Sequence, residues 1–248
     1  MSRRWRNPSA SSISPQAECH SATQQIDNLR YRDLQRAMTL LELLVVLAVI
    51  AVLAALILPS VLRPPHDGSM HIQCVNNLKQ EALAFRIWEG DNNDKYPMAV
   101  SRTNGGAMEF TSGPNVFRHF QVMSNELSTP KVLICPQETD KVRFVATNFD
   151  YFSNSNISYF VGLDAAETNP AMILSGDHNI TNGTAPGNGL LVLITNRPAG
   201  WTTEVHHKVG NVCLADGSVW QDSATGLQDR IAHTGVATNR LLMPIFGP

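Results

Sequence analysis

The chain has 248 residues and a formal net charge of −2, and only 16% of its residues are charged. This length allows one domain with an anchor, or at most two small domains. Proteins that bind nucleic acids need a broad basic face to contact phosphates, and this composition does not supply one. No nucleic-acid partner is therefore expected.

The start of the chain is basic. Residues 1–37 contain six arginines against Glu18, Asp27 and Asp33. A basic stretch before an apolar segment tends to stay in the cytoplasm. We therefore predict that residues 1–37 form a cytoplasmic leader and that the chain after the apolar segment is exported, where disulfides persist.

The next segment is a membrane-helix candidate. Leu40–Leu58 reads LLELLVVLAVIAVLAALIL and is apolar except for Glu42. As an α-helix it is roughly 28 Å long, enough to span a bilayer. It has no polar face, unlike the core helix of a soluble protein, and it is longer than the apolar part of a cleaved secretory signal. We predict that residues 38–62 form a transmembrane and assembly helix.

Glu42 is the unusual residue of this segment. A carboxylate at the centre of a membrane helix costs roughly 2.5–3.5 kcal/mol on insertion scales, and less near the interface. An acid retained there is expected to have a partner and a function.

These residues resemble a known N-terminus. The run AMTLLELLVV, from Ala37 to Val46, is similar to the start of type IV prepilins, the precursors of type IV pilins and type II secretion pseudopilins. The resemblance implies that prepilin peptidase cuts between Ala37 and Met38 and then methylates Met38. It also implies that Glu42 pairs with the free N-terminus of a neighbouring subunit, and that Pro59 is a helix-kinking proline. The family usually has Gly before the cut and often Phe after it, so Ala37 and Met38 depart from its pattern.

The prolines in RPPHDG, residues 63–68, predict a break in the helix, so that the apolar helix is kinked or broken near 59–68. Helical periodicity then returns over 69–90, with an apolar stripe at Val75, Leu78, Ala82, Phe85 and Trp88.

Residues 91–248 are rich in turn residues and short apolar runs, which predicts an exported β-rich globular domain. The predicted fold class is α+β and pilin-like: a long N-terminal apolar helix packed on an antiparallel sheet. The predicted strands are Ile157–Leu163, Ala171–Leu174, Leu190–Thr195, Val209–Leu214 and Ser218–Gln221, followed by a short helix and an extended tail over 225–246.

Two further runs sharpen the resemblance. HIQCVNNLKQ (71–80) and DNNDKYP (91–97) look like pseudopilin-like proteins of Verrucomicrobia and Planctomycetes, which often carry a short strand ending in Cys-Pro, as at Cys135 here. On this basis Cys74 and Cys135 are the preferred disulfide, with two unpaired thiols as the alternative. Cys19 lies in the leader, so Cys213 is left over.

The same group often carries a C-terminal motif of the form H-x9-D-G, matched here by His206, Asp216 and Gly217. Asp-Gly between apolar runs predicts a hairpin turn. His206 is interpreted as an architectural hydrogen-bonding residue or, alternatively, as a metal ligand. Because major pseudopilins hold calcium near the C-terminus, Asp216 and Asp222 are weak calcium candidates. No other cofactor is predicted.

The sequence contains no H-E-x-x-H, C-x-x-C, G-x-S-x-G or dinucleotide motif, so no catalytic residue is assigned and no enzyme is expected. The resemblance implies a structural pseudopilin or minor pilin in a type II secretion pseudopilus or type IV pilus-like filament. It places the chain as a single-pass protein of the bacterial inner membrane, with the C-terminal domain outside the cytoplasm.

Its implied partners are prepilin peptidase, other pilin subunits, the inner-membrane assembly platform and the lipid bilayer. The alternative is a membrane-anchored exported enzyme or ligand- or metal-binding module with a prepilin-like anchor. The sequence does not distinguish secretion from adhesion or DNA uptake.

Overall fold

The computed structural model of this chain describes residues 39–61 and 67–246. The chain divides between Pro64 and Pro65 into two compact units. The first contains helix α1 (Leu40–Val61), and the second contains all elements from Asp67 onward.

Helix α1 is largely apolar, and Glu42 in its first turn is its one charged residue. Its segment Leu40–Leu58 has a mean hydropathy of 3.1, and none of it is buried in the structure. Among the described residues, this is the one helix long and apolar enough to cross a membrane. The expected apolar N-terminal helix is therefore present.

Helix α2 (Asp67–Asp91) opens the globular unit. Its side chains at Cys74, Leu78 and Phe85 are completely buried, and Ala82 and Trp88 are nearly so. This spacing of three and four residues places them on one helix face, which explains why a chain with polar residues in between still forms a long helix here. The break predicted over 63–68 falls mostly outside the described residues.

Between α2 and the sheet, residues 92–158 form turns and short helices. The Tyr96 hydroxyl donates a 2.7 Å hydrogen bond to the Ala215 carbonyl, and Asn77 donates one of 3.0 Å to the Ile134 carbonyl. These bonds fix the segment to the sheet and to α2. Its helices are α3 (Val116–Gln121), α4 (Ser124–Leu127) and the 3₁₀ turns Pro97–Ala99, Arg102–Asn104, Pro130–Leu133 and Asn154–Asn156.

An antiparallel sheet forms the centre of the globular unit. The strands of the described residues are β1 (Tyr159–Gly162), β2 (Ile173–Asp177), β3 (Ile180–Thr181), β4 (Leu190–Ile194), β5 (Gly200–Trp201), β6 (Gly210–Leu214), β7 (Val219–Asp222) and β8 (Thr238–Leu242). Six of them form the sheet in the order β4-β8-β1-β2-β6-β7, and β3 and β5 form a separate pair. The expected α+β class, with an antiparallel sheet, is confirmed.

The sheet separates two apolar cores. Side chains of α2 pack with Val161 and Leu174 on one face. On the other face, helix α5 (Ala224–His233) places Leu227 and Ile231 against Phe160 and neighbouring strand residues. The alternation of side chains along each strand produces this division.

The strands deviate from the prediction mainly at β8 and β2. The tail predicted within 225–246 contains β8, which lies between β4 and β1 in the sheet. At β2, Ala171–Leu174 was predicted, but the strand runs through the polar residues Ser175 and Asp177, both of which are buried. Apolar composition marked only the first half of this strand, because the second half is held by polar contacts described below.

A disulfide joins α2 to the segment that follows the 3₁₀ turn Pro130–Leu133. It links Cys74 and Cys135, whose Cα atoms are 5.0 Å apart and which are separated by 61 residues. Cys213 is a buried free thiol on the β6 strand.

We expect the Cys135→Ala variant of the detergent-solubilised chain to be less stable by about 4 kcal/mol, because closing a loop of this length restricts the unfolded chain by about that amount. Urea unfolding followed by near-ultraviolet circular dichroism measures the difference. Cys213→Ala is the matched control, since it removes a buried thiol but leaves the disulfide. Equal stability of Cys135→Ala and the parent chain would refute the prediction.

Candidate functional site

The start of α1 is closed by a capping box between Thr39 and Glu42. The Glu42 carboxylate oxygen Oε2 accepts hydrogen bonds from the Thr39 backbone N–H at 2.9 Å and from its hydroxyl at 3.2 Å. In return, the Thr39 hydroxyl oxygen accepts the Glu42 backbone N–H at 3.2 Å. These bonds satisfy two backbone donors and hold the carboxylate at the positive end of the helix dipole. The pattern Thr-x-x-Glu is visible in the sequence, but only a partner in another subunit was predicted for Glu42.

Beyond this cap, α1 exposes apolar side chains on all sides. Leu40 is 81% exposed and Leu56 is 71% exposed, and Glu42 is the only charged residue of the helix. Such a surface is stable in lipid or against other apolar helices, but not in water.

Of the three other residues predicted to act in processing or assembly, the structure describes one. Ala37 and Met38 lie outside the described residues. Pro59 falls in the last turn of α1, which ends at Val61.

The second candidate site surrounds His206, in the loop between β5 and β6. The His206 side chain has no exposed surface, and its Nε2 lies 3.3 Å from Asp177 Oδ2 and 3.4 Å from Cys135 Sγ. Asn211 Nδ2 lies 3.4 Å from the same nitrogen. His206 therefore links the disulfide to strands β2 and β6.

The other nitrogen of His206 faces polar groups at the domain surface. Nδ1 hydrogen-bonds Gln137 Oε1 and lies 3.0 Å from Nδ1 of His71 on α2. The two histidine rings meet edge to face, with centroids 4.5 Å apart. Burial, with a contribution from His71, lowers the pKa of His206 to about 4, so the ring is neutral at pH 7.

The backbone that carries His206 is strained. His206, His207 and Lys208 have φ angles of 56°, 50° and 70°, in the left-handed region that side chains with a Cβ rarely adopt. Each such residue costs about 1–3 kcal/mol, and such strain persists only where surrounding contacts enforce it.

The H-x9-D-G motif spans a strand and does not form one cluster. His206 precedes β6, whereas Asp216 and Gly217 form the turn after it, with Gly217 at a φ of 84°. Asp216 Oδ1 accepts the Ser218 backbone N–H at 2.8 Å. In this chain the nine residues between His206 and Asp216 form the loop and the strand that separate a buried imidazole from a hairpin turn.

The weak calcium candidates are also at opposite ends of a strand. Asp222 ends β7 and forms a two-point ion pair with Arg230, whose Nη2 lies 3.0 Å from Asp222 Oδ1. Asp216 lies in the turn before β7. The structure does not bring Asp216 and Asp222 together.

A buried acid pair, not visible in the sequence, lies behind His206. Asp177 Oδ2 accepts the Asn211 backbone N–H at 2.7 Å and its side-chain amide at 2.8 Å. Burial nevertheless raises the pKa of Asp177 to about 7. Glu81, on the buried face of α2, has no exposed surface, and burial together with the charge of Asp177 raises its pKa to about 8, although Ser175 opposes the rise.

Glu138 is the centre of a second polar group at the surface. Its Oε2 accepts hydrogen bonds from the Ser158 hydroxyl at 2.7 Å and from His178 Nε2 at 2.9 Å. Burial alone would raise the pKa of Glu138, but His178 and then Ser158 outweigh it and lower the pKa to about 2. Ser158 and His178 bind the same oxygen, so serine and histidine are not linked in the order of a hydrolytic triad. Arg143 lies 3.5 Å from this carboxylate and also donates to the Pro244 carbonyl.

The buried position of Glu81 predicts a pH dependence of stability. Its pKa is raised from 4.5 to about 8 on folding, so the folded state keeps a proton that the unfolded state has lost. The free energy of unfolding is therefore highest below about pH 4.5 and falls as the pH rises towards about 8. We expect Glu81→Gln to reduce the fall in the free energy of unfolding between about pH 6.5 and pH 8 by about 1.5 kcal/mol. Asp177, whose pKa is raised to about 7, also titrates in this range and stays present in both chains.

Urea unfolding at several pH values tests this expectation. Asp150→Asn, which alters an exposed carboxyl of the same unit, is the control and should retain the parent slope. Identical slopes for the parent chain and Glu81→Gln would contradict the assignment.

Comparison with known proteins identifies a family motif in one part of the chain. Residues 32–58 match the family model of the prokaryotic N-terminal methylation motif. No curated protein and no solved structure matches the chain significantly. The motif implies processing by a peptidase and assembly with other pilin-type subunits, and with the exposed helix α1 it is consistent with single-pass membrane anchoring. This chain thus carries the N-terminal signature of a type IV pilin-like, processed protein.

Proposed function

We propose that the chain is a structural pseudopilin or minor pilin of a type II secretion pseudopilus or type IV pilus-like filament. Prepilin peptidase cuts between Ala37 and Met38 and N-methylates Met38. The mature chain remains in the inner membrane, with its globular unit outside the cytoplasm, until an assembly platform adds it to the filament.

One observation carries this proposal: the methylation motif over residues 32–58 coincides with a helix whose large apolar side chains, such as Leu40 and Leu56, are exposed. A single-pass anchor needs only a lipid-facing helix. A filament subunit needs the same surface to pack against other helices, together with a defined N-terminus. The combination of a processing motif, an all-round apolar surface and an acid at the helix start favours the filament role.

A cavity of about 340 Å³ favours the alternative of an anchored binding module. It lies beside Arg143 and His178 and is lined by apolar residues of the C-terminal segment, including Phe246. A cavity of this size suits a small ligand. The filament proposal and this alternative share the anchor and differ in whether α1 must contact other subunits.

The processing step has a direct test. We expect mass spectrometry of the protein extracted from membranes to find a mature N-terminus at N-methylated Met38, since the motif places the cut before the apolar run. In cells without prepilin peptidase the leader should be retained. A start at Met1 in wild-type cells, or after residue 58, would exclude this processing.

The assembly role of Glu42 can be separated from its capping role. Glu42→Gln keeps an oxygen that can accept the Thr39 hydrogen bonds but removes the negative charge. If the charge pairs with the free N-terminus of a neighbour, Glu42→Gln and Glu42→Ala should both insert and be processed, but should be lost from sheared filaments by at least about tenfold, the effect of roughly 1.4 kcal/mol.

Thr39→Ala is the matched control, because it removes a capping hydroxyl and keeps the charge. Quantitative immunoblots of membrane and filament fractions measure incorporation, and N-terminal mass spectrometry confirms processing of each variant. Normal incorporation of Glu42→Gln, together with failure of Thr39→Ala, would assign the acid to helix capping and count against the intersubunit pair.

A further inference from the structure

The disulfide and His206 form an unusual group of potential metal ligands. The sulfur atoms of Cys74 and Cys135 and a ring nitrogen of His206 all lie within 4.8 Å of one another, and all three residues are buried. While the disulfide is intact, its sulfurs are poor ligands, because a metal binds the thiolate form. Reduction would convert the same atoms into two thiolates beside an imidazole.

We propose that the reduced form of this site binds a zinc-type divalent cation through Cys74, Cys135 and His206, so that the disulfide and the metal are alternative states of one site. Tetrahedral zinc has sulfur ligands at about 2.3 Å and nitrogen ligands at about 2.0–2.1 Å, which places ligand atoms roughly 3.3–3.8 Å apart. The separation of 3.4 Å between His206 Nε2 and Cys135 Sγ already falls in this range.

The hydrogen bonds of His206 orient its free electron pair towards the sulfurs. An amide oxygen only accepts hydrogen bonds, so the contact with Gln137 Oε1 is satisfied by the tautomer that carries the ring proton on Nδ1. Nε2 then has the lone pair, on the side of Cys135. Metal-binding histidines are typically held in this way, with one nitrogen bonded to an outer acceptor and the other to the metal.

Asp177 lies next to the imidazole. Its Oδ2 lies 3.3 Å from His206 Nε2, and Asn211 holds this oxygen through two hydrogen bonds. Two thiolates and a neutral imidazole are ligand types that bind zinc in proteins, and a zinc site with three protein ligands can hold water in the fourth position. The left-handed backbone at residues 206–208 is a separate observation in favour of a binding role, since strain of this kind is concentrated at functional sites.

A phosphine supplies the two electrons that reduce the disulfide. The disulfide, one phosphine and one water give two thiols and one phosphine oxide. The divalent cation then displaces two thiol protons. Reoxidation by a disulfide-containing oxidant removes two electrons from the thiolates, re-forms the Cys74–Cys135 bond and releases the cation.

Cobalt(II) is the probe for the experiment, because its thiolate complexes absorb through ligand-to-metal charge transfer. The full-length chain in detergent is reduced with a phosphine, freed of reductant and titrated with cobalt and then with zinc. We expect one metal ion per reduced chain and none per oxidised chain. His206→Ala should lower the affinity of the reduced chain by at least about tenfold, as expected for loss of a ligand or its support.

Two matched variants complete the test. His207→Ala alters the exposed neighbour in the same strained loop, and Cys213→Ala removes the thiol outside the site. Both should retain parent affinity. The proposal is overturned if the reduced chain binds no cobalt, if the oxidised chain binds it equally, or if His206→Ala keeps the parent affinity.

If reduction alone unfolds the globular unit, far-ultraviolet circular dichroism replaces the affinity measurement. Zinc should then restore the folded spectrum of the reduced parent chain but not of His206→Ala. Failure of zinc to restore the parent spectrum would also overturn the proposal.

Discussion

The packing of helix α2 against one face of the sheet is the interaction on which the other features of the globular unit depend. Leu78 and Phe85 lie on the buried stripe of this helix, and so do Cys74 and Glu81. Because residues three and four apart share a helix face, one rotation of α2 places the apolar core, the disulfide and the buried acid at once. His71, one turn before Cys74, is thereby brought to His206. The contacts of His206 with His71 and with the disulfide therefore depend on the position of α2 against the sheet. A shift of α2 would disturb both contacts together.

Sequence patterns identified the helix α2 and several apolar strands, but they missed the polar second half of β2 and the place of β8 inside the sheet. The periodic stripe of α2 and the apolar runs of β4 and β6 were predicted with small errors at their ends. The second half of β2 was missed because Ser175 and Asp177 look like surface residues in a linear sequence. Their burial depends on strand order: β2 lies between β1 and β6, and Asp177 pairs with Tyr159 on one side and hydrogen-bonds Asn211 on the other. Residue spacing alone does not reveal which strands are neighbours, so the polar contacts of Ser175 and Asp177 could not be predicted. Glu81 lies three residues after Leu78, so its place on the buried face of α2 does follow from helix spacing.

The two ends of the H-x9-D-G pattern, His206 and Asp216-Gly217, flank one strand without sharing a site. This strand, β6, lies between β2 and β7, and the nine intervening residues cover a strained loop and this strand. At one end His206 contacts the disulfide, and at the other Gly217 adopts a φ of 84° that favours glycine. An insertion between them would move His206 away from Cys135 or shift the strand register, because a one-residue slip turns each side chain to the opposite face. The spacing between His206 and Gly217 therefore depends on the hairpin that contains β6 and on the contact of His206 with the disulfide.

The capping box changes the physical argument about Glu42. A carboxylate in an apolar helix is costly when it has no partner, which by itself suggested that only another subunit could satisfy it. In the structure, Thr39 already donates two hydrogen bonds to the carboxylate, and the helix N-terminus adds a favourable dipole. A membrane-inserted subunit can therefore hold Glu42 before it meets a neighbour. Hydrogen bonds do not neutralise the charge, however, and an ammonium group beside it would stabilise the acid further in a low-dielectric environment. The cap thus accounts for how the acid is tolerated in a single chain, while the remaining charge is what a second subunit could recognise.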